Sequence, residues 1–492
     1  MIKEKNDSPS LPTGWAWAKL GEISDIGQGG TPSTRKKEYW NGSIPWLRSG
    51  EILFNRITGS KGTITQTGLK NSPAKLLPKG TVLLAMTGEG LTRGRAAILD
   101  IEASANQSCA HIMLDPRVMK SEYLFYYFRK EYWNIRQLDK GTNQPGLNTA
   151  IIKEFNIPAA PLMEQLRIVS RVEELFARLD AGVEGLRKVK AQLKRYRQAV
   201  LKYAFEGKLT EEWRKTHKNQ TEPATKLLQQ IKQERKKDPK YKELPPIDVF
   251  NSLELPENWT WTRLGEIIFL SNERYNPTIS EDQRFVGLEH IESNTSKLLG
   301  FGKSSETRST KNRFKQGDLL YGKLRPYLNK VWVANFNGVC STDILVFQKN
   351  NFISNEYLAA CLLNQSFVEY TNQHMSGVQH PRVSYQILSQ YIIPLPPLLE
   401  QLKIAEEVQR SFYIADEVER ATEQSLKKAE FLRQSILKVA FEGKIVPQDP
   451  SDEPAEKLLE RIKEERAKSK GENDINRRKN KPKQLELSTY VK

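Results

Sequence analysis

The sequence predicts an α+β protein: two domains of mixed strands and helices, separated by two long helices that form an antiparallel coiled coil, with an internal pseudo-twofold duplication. Three observations carry this prediction. The chain repeats several of its own segments in one order, each repeat leads into a helical stripe too long for one small domain, and the intervening stretches read as short strands broken by turns. At 492 residues there is room for more than one core. Hydrophobic residues make up 38% and charged residues 27%, which excludes a mostly disordered chain. Lysine and arginine number 76 against 59 acidic residues, and the net charge of +17 attracts polyanions such as nucleic acid or an anionic membrane.

The first repeated block, LPTGWAWAKLGEI at 11–23, returns as LPENWTWTRLGEI at 255–267. IPAAPLMEQLRIV from Ile157 returns as IPLPPLLEQLKIA from Ile393, and YAFEGKL ending at Leu209 returns as VAFEGKI ending at Ile445. EPATKLLQQIKQER from Glu222 returns as EPAEKLLERIKEER from Glu453. Blocks repeated in one order are a duplication. The enclosed segments, 24–156 and 268–392, barely resemble each other, so one scaffold presents two different surfaces. Runs such as TVLLAM, AAILD, KVWVANF and DILVF, set between Gly, Asn and Pro turns, predict strands. SEYLFYYFRKEYW and SNEYLAACLLNQSFVEYT predict a helix late in each insert. The first domain is therefore placed at 1–156 and the second at 255–392.

Helical spacers are expected at 157–208 and 393–445. IPAAPL and IPLPPL stop a strand and admit a helix, while Gly207 and Gly443 stand where a left-handed C-terminal cap belongs. From Val172 the apolar residues Leu175, Leu179, Val183, Leu186, Val189, Leu193, Tyr196, Val200 and Tyr203 recur at threes and fours. Val408, Phe412, Ala415, Val418, Ala421, Ala429, Leu432, Ile436 and Val439 form a looser second stripe. A helix from Glu164 to Glu206 is about 65 Å long. The two seams bury each other if the helices run antiparallel; burial against a third protein is the competing arrangement. Gly182 and Gly185 are positions where the first helix can loosen or bend. Residues 209–254 read as a charged, partly helical linker, and 446–492 as a helical segment followed by a basic disordered tail.

The start, MIKEKNDSPS, lacks the apolar core of a signal peptide and no run is long enough to span a membrane, which reads as cytoplasmic and soluble. Cys109, Cys340 and Cys361 lack any short paired spacing and are read as core thiols. His111, His217, His290, His374 and His380 are scattered without ligand spacing, and His374 and His380 suit a loop better than zinc. Gly317 to Lys323 has the spacing of a phosphate loop, but Leu324 stands where a magnesium-ligating Ser or Thr is needed. With no metal site and no methyltransferase, nuclease or helicase motif, the chain is expected to perform no covalent chemistry.

What remains are basic and amide residues on turns. The loop MTGEGLTRGR at 86–95 carries Arg93 and Arg95, whose guanidinium groups suit the O6 and N7 acceptors of guanine. Its counterpart at 323–330 carries Lys323, Arg325, Tyr327, Asn329 and Lys330. GTNQPGLN carries Asn143 and Gln144, and SGVQHPRVS carries Gln379, His380 and Arg382; amides of this kind suit adenine N6 and N7. Each of these residues is as well fitted to a phosphate contact or a solvated turn as to a base.

IPLPPLLEQLKI running into a long helix that ends AFEGK, duplicated around two unlike inserts, resembles the DNA specificity subunit of type I restriction-modification systems. YGKLRPYLNKV, GVCSTDILVF, ANQSCAHI and HPRVS are similar to blocks in the target-recognition domains of that family, and they add Asn106, Gln107, Ser341 and Thr342 to the candidate DNA contacts. The blocks of the first half are the looser counterparts. The resemblance implies a noncatalytic subunit in which each target-recognition domain reads half of an asymmetric split site and the paired helices set the spacer. It further implies two docked modification subunits that methylate adenine with S-adenosylmethionine, and restriction subunits that use ATP and Mg; none of these cofactors belongs to this chain. On the repeated frames it implies partner contacts at Pro161, Glu164, Gln165, Phe205, Glu206, Gly207, Pro397, Glu400, Gln401, Phe441, Glu442 and Gly443. Helix start and stop signals explain the Pro and Gly of this set fully and the Glu-Gln pairs less well. The alternative is a coiled-coil adapter with nonspecific nucleic-acid binding, which would bind all duplexes alike at fixed salt.

Overall fold

The computed structural model describes residues 10–88, 90–138, 147–237, 241, 243–245, 247, 254–276, 282–306 and 309–465. Asn143, Gln144 and the basic tail beyond 465 lie outside the described residues. The chain divides into two compact units, Met1–Glu184 with Ser425–Lys492, and Gly185–Gln424. Each unit holds one α+β domain and one half of each long helix.

Strands of the first unit are β1 (Ala16–Lys19), β2 (Ser24–Gln28), β3 (Trp40–Leu47), β4 (Asn55–Ile57), β5 (Gly62–Ile64), β6 (Val82–Ala85), β7 (Ala96–Leu99), β8 (Ser104–Ala105), β9 (Cys109–Leu114) and β10 (Asn156–Ala159). They form sheets in the orders β2-β9-β6-β7-β4, β5-β3-β8 and β1-β10. β6 and β7 are buried on both faces, which is why they read as unbroken apolar runs. Val82, Leu84, Ala96 and Ile98 face a core that includes Tyr123, Leu124 and Phe128 of the helix Ser121–Gln137. Leu83, Ala85, Ala97 and Leu99 face a smaller core with Leu47, Ile52 and Cys109. The strand period of two thus feeds two cores from one sheet.

The second unit repeats this plan with different edges. Its strands are β11 (Thr260–Arg263), β12 (Arg274–Tyr275), β13 (Arg284–Val286), β14 (Gly302–Lys303), β15 (Lys311–Phe314), β16 (Leu319–Gly322), β17 (Val331–Val333), β18 (Gly338–Cys340), β19 (Ile344–Phe347) and β20 (Ile392–Leu395). The antiparallel trio β17-β16-β19 matches β7-β6-β9, the parallel pair β13·β18 matches β3·β8, and β11·β20 matches β1·β10. Gly317 to Lys323 therefore forms a turn and a strand, and its backbone groups are spent in the sheet rather than on a phosphate. All three cysteines are free and buried; burial pushes the Cys109 and Cys361 thiols up to about 12.

The two long helices, Leu162–Phe205 and Leu398–Phe441, span 44 residues each, and the first runs through Gly182 and Gly185 without interruption. Within the second unit Lys190 pairs with Glu423 at 2.6 Å and Arg197 with Asp416 at 2.7 Å. Seven residues forward on one helix thus match seven back on the other, the register of an antiparallel heptad pair. Within the first unit Arg433 pairs with Asp180. The seam differs from the predicted stripes. Tyr196 and Tyr203, 43% and 49% exposed, and Val418, Ala421 and Leu432 face outward. Arg197 and Arg433 take their places, because long polar side chains can lie in a seam when an ion pair meets them at its edge, and Thr422 is buried with its hydroxyl bonded back to Val418 O.

Both helices end as predicted. Gly207 and Gly443 have φ of +70° and +67°. Lys208 N donates to Tyr203 O at 2.9 Å and Gly207 N to Ala204 O at 3.2 Å, and Lys444 N and Gly443 N make the same bonds to Val439 and Ala440. These are Schellman caps. A Cβ on Gly207 would also meet Cγ of Pro256 at 2.5 Å. Gly207→Ala and Gly443→Ala are expected to cost about 1–3 kcal/mol. Gly182→Ala, where a Cβ meets nothing within 4 Å, is expected to stabilise by about 1 kcal/mol. Thermal unfolding of the three variants against the parent measures this sign change.

Candidate nucleic-acid interface

In the second domain three loops that are remote in sequence are stitched together at one end of the sheet. Lys323 N, just past β16, donates to Asp343 O at 2.9 Å before β19; Val383 N donates to Lys323 O at 3.0 Å, and Arg325 N to Pro381 O at 2.7 Å. The first domain makes the equivalent bonds with different residues: Met86 N to Ser108 O at 2.9 Å and Leu147 N to Met86 O at 3.1 Å. The strand pairing β6·β9 and β16·β19 causes this convergence, since it brings the loop after one strand beside the loop before the other. Among the described residues the two domains thus share the first two of these backbone bonds, made by unlike residues.

In the second cluster Arg325, Tyr327, Thr342, His380 and Arg382 are exposed, with Lys323 and Ser341 half-buried beside them. Arg382 is ion-paired with Asp343, whose N–H is held by Ser341 Oγ at 3.2 Å. Gln379 is exposed on the same loop as His380. Asn329 and Lys330 are corrections. Arg325 and Asn329, which flank the short 3-10 turn Pro326–Leu328, adopt left-handed backbone with φ of +52° and +42°. Asn329 is buried with Nδ2 donating to Leu362 O at 3.1 Å, and Lys330 Nζ donates to Ile291 O at 2.6 Å, its pKa lowered by burial. Both are struts of the loop. His374 also departs from the loop expected for it: it ends the helix Gln365–His374 and packs on Tyr370.

The first cluster is anchored differently. Arg93 Nη2 donates to Arg136 O at 3.0 Å and Arg136 Nη1 returns a bond to Arg93 O at 3.1 Å, while Tyr132 Oη donates to Leu91 O at 2.6 Å. Arg93 therefore fastens its loop to the end of the helix Ser121–Gln137, and half-buried Arg95 lies beyond it. Asn106 Oδ1 accepts from Ser108 N at 3.2 Å and from Cys109 Sγ at 3.1 Å, which shapes the turn. Gln107 is exposed and bonds Thr31, and Gln28 Nε2 donates to Gln107 O at 2.6 Å. These contacts join a segment that the sequence reading passed over. Trp46 Nε1 donates to Gly30 O at 3.0 Å, and Arg35, Lys36, Lys37 and Arg48 are exposed around it. The signal was present as a Gly-Gly turn followed by TRKK.

The frames implicated in partner contact divide into buried and exposed members. Glu164 accepts from Trp15 Nε1 at 3.1 Å, and Gln165 bonds Lys120 N at 3.0 Å and Val118 O and Ala160 O at 2.9 Å. Glu400 accepts from Trp259 Nε1, Thr210 Oγ1 and Arg214 Nε at 2.8, 2.7 and 2.9 Å, and Gln401 bonds Ser354 N at 3.0 Å and Pro396 O at 2.9 Å. All four side chains are at most 1% exposed, so they lock each helix start to its own domain instead of meeting a partner. Pro161 and Pro397 begin those helices, each accepting a helix-start bond on its carbonyl, from Gln165 N and Gln401 N. Phe441 is buried on Tyr123 and Tyr127, half-buried Phe205 lies near Trp261, and Glu206 and Glu442 pair with Lys208 and Lys444 beside the caps. At the helix starts the exposed residues include a duplicated apolar pair: Met163 and Leu166 in the first unit, and Leu399 and Leu402 at the matching positions of the second. Among the described residues no group of three or more His, Cys, Asp or Glu side chains could hold a metal, and no helix is long and apolar enough to cross a membrane.

A family model for the type I restriction modification DNA specificity domain matches residues 12–189 and 256–428. The type I restriction enzyme EcoDI specificity subunit of Escherichia coli is 31% identical over 472 residues, covering 94% of this chain and 97% of that one. Among solved structures, a chain described under "Structural basis underlying complex assembly and conformational transition of the type I R-M system" aligns with a TM-score of 0.65 at 20% identity, over 89% of this chain and all of its own. The HsdS subunit from Thermoanaerobacter tengcongensis aligns with a TM-score of 0.56 at 19% identity, over 90% of this chain and all of its own.

Proposed function

The chain belongs to the type I restriction-modification DNA specificity family, and from that premise we propose that each domain reads one half of an asymmetric split duplex target through its three-loop cluster, with the paired helices setting the unread spacer. The observation that carries this reading is the pair of clusters, alike in backbone bonding and different in side chains: one docking geometry is used twice to read two different sequences. Half-site spacing then follows from a rod of fixed length, as it follows from dimer geometry in symmetric regulators. The chain directs chemistry and performs none. Two modification subunits dock on it, one at each repeated frame, through Met163 and Leu166 and through Leu399 and Leu402; a duplicated apolar pair suits two copies of one partner. They bring S-adenosylmethionine for adenine methylation, and restriction subunits bring ATP and Mg. The assembly works in the cytoplasm, where the free thiols stay reduced.

Genome-wide adenine methylation at single-base resolution tests this, in cells carrying the cognate modification subunit with and without the chain. A split motif that appears only with the chain is the expected result. Unchanged methylation under a demonstrably active partner would leave the nonspecific adapter instead.

A further inference from the structure

Arg382 differs from Lys323 and Arg325 of the second cluster in that, among the described residues, its side chain is already held. Nε donates to Oδ1 of Asp343 at 3.1 Å and Nη2 to Oδ2 at 3.3 Å, a side-on bidentate pair, while Nη1 donates to His380 O at 3.3 Å. The backbone beneath it is fixed as well. Arg382 N donates to Ser376 O at 2.8 Å and Ser376 N returns a bond to Arg382 O at 2.9 Å, and the neighbours Pro381 and Val383 are buried. Asp343 is fixed on a separate loop through Ser341 Oγ and through Lys323 N. The side chain of Arg382 nevertheless remains 47% exposed.

Two considerations bear on what such an arginine does. A phosphate contact is served by net positive charge and tolerates a mobile side chain, so an acid paired to the arginine works against it. Base readout gains from a fork whose orientation is set before binding, since little freedom is then lost on contact. Three of the five guanidinium N–H groups are engaged, leaving one on Nη1 and one on Nη2. That remaining pair matches the two adjacent acceptors, O6 and N7, on the major-groove edge of guanine.

We propose that Arg382 reads a guanine in the half-site of the second domain and that Asp343 is the positioning residue that holds its fork. The proposal rests on the reading of the three-loop cluster as the DNA-facing surface. It requires Asp343 to act through Arg382, so Asp343→Asn blurs base preference at the same position that Arg382 specifies. Because Asp343→Asn also removes a negative charge, it raises binding to unrelated duplexes.

The test uses the full chain with its modification subunit. Methylomes are recorded for the parent, Arg382→Lys, Arg382→Gln and Asp343→Asn, and the purified complex is then titrated with duplexes carrying 7-deazaguanine, which lacks the N7 acceptor. Arg382→Lys keeps the charge and loses the fork. It is expected to reduce preference for guanine at one position, in one half of the motif, by about 5- to 150-fold. The other half stays intact and serves as the folding control. 7-Deazaguanine at that position weakens the parent by more than it weakens Arg382→Lys and leaves Arg382→Gln the least affected. Equal weakening on every duplex with a shallower salt dependence would make Arg382 a phosphate contact and overturn the proposal. An unchanged motif in all three variants would make the pair a surface ion pair and overturn it equally. A parent chain that directs no split motif would instead remove the underlying functional reading, and this assignment with it.

Discussion

Glu400→Ala is expected to unfold the second unit, whereas Glu164→Ala, at the matching position of the repeat, is expected to cost far less. The Glu400 carboxylate is 1% exposed and satisfies an indole, a hydroxyl and a guanidinium. Its removal takes the carboxylate from Arg214, whose side chain is 17% exposed and keeps only its bond to Gly207 O and its stack on Trp259, and leaves two further donors without their acceptor. Breaking a buried charge pair in this way costs about 3–5 kcal/mol, a large share of the roughly 5–15 kcal/mol that holds a domain. Glu164 receives only the Trp15 indole, while its neighbour Arg167 is committed to Asp452.

Glu164 should also make the first unit sensitive to pH. Burial raises the Glu164 pKa above its ordinary value. An acid whose folded pKa lies above its unfolded pKa makes the fold most favourable below the unfolded value, and that advantage is lost as pH rises through the folded value. Glu164→Gln keeps an acceptor for Trp15 and removes the ionisable group, so it is expected to stabilise the first unit at pH 7.5 and to lessen its pH dependence. Glu400→Gln loses the Arg214 ion pair and is expected to destabilise the second unit. Hydrogen exchange of the full chain at pH 4.5 and 7.5, read separately over β6 and β16, distinguishes these outcomes. Equal losses of protection for both glutamine variants would refute the asymmetry.

The duplication and the helix boundaries were legible because they rest on local chemistry: proline before a helix, glycine at a left-handed cap, and near-identical frames. The seam was legible only in part. Tyr196, Tyr203 and Leu432 fit a spacing of threes and fours as well as their neighbours do, and a rule that counts apolar residues cannot choose Arg197 or Arg433 for the seam over them. That choice depends on Asp416 and Asp180 waiting on the opposite helix. The candidate interface was legible as a set of turns and not as a surface. The link between Asp343 and Arg382 arises from bonds between loops, and the placement of Asn329 and Lys330 arises from bonds to the distant carbonyls of Leu362 and Ile291. Neither has a signature in residue type. The buried Glu and Gln of the frames show the opposite failure, since polar residues in a repeated motif suggest contact with a partner while these four meet only their own domain.

Removing residues 447–492 is expected to unfold the first domain. The segment 455–465 is helical, and Ala455, Leu458 and Ile462 are buried, with Ala455 and Ile462 in the core that contains Trp15 and Phe441. Ala455 N donates to Gly14 O at 2.9 Å, and Asp452 pairs with Arg167 at 2.5 Å. The second domain is completed in the same manner: Ala224 N donates to Asn258 O at 2.9 Å and Ile231 is buried in its core. In each repeat, therefore, the helix that follows an AFEGK cap belongs to the domain of the other repeat, and the chain end supplies what the linker supplies in the middle. Losing the burial of Leu458 and Ile462, which uncovers the core they pack on, costs about 3–6 kcal/mol, enough to collapse a marginally stable domain once the Ala455 bond and the Arg167 pair are lost as well. Hydrogen exchange should then show lost protection in β6 and β9 with β16 and β19 unchanged, and a methylome should lose one half of its motif. Full protection of β6 in the 447–492 deletion would mean that the segment lies on the first domain without holding it together.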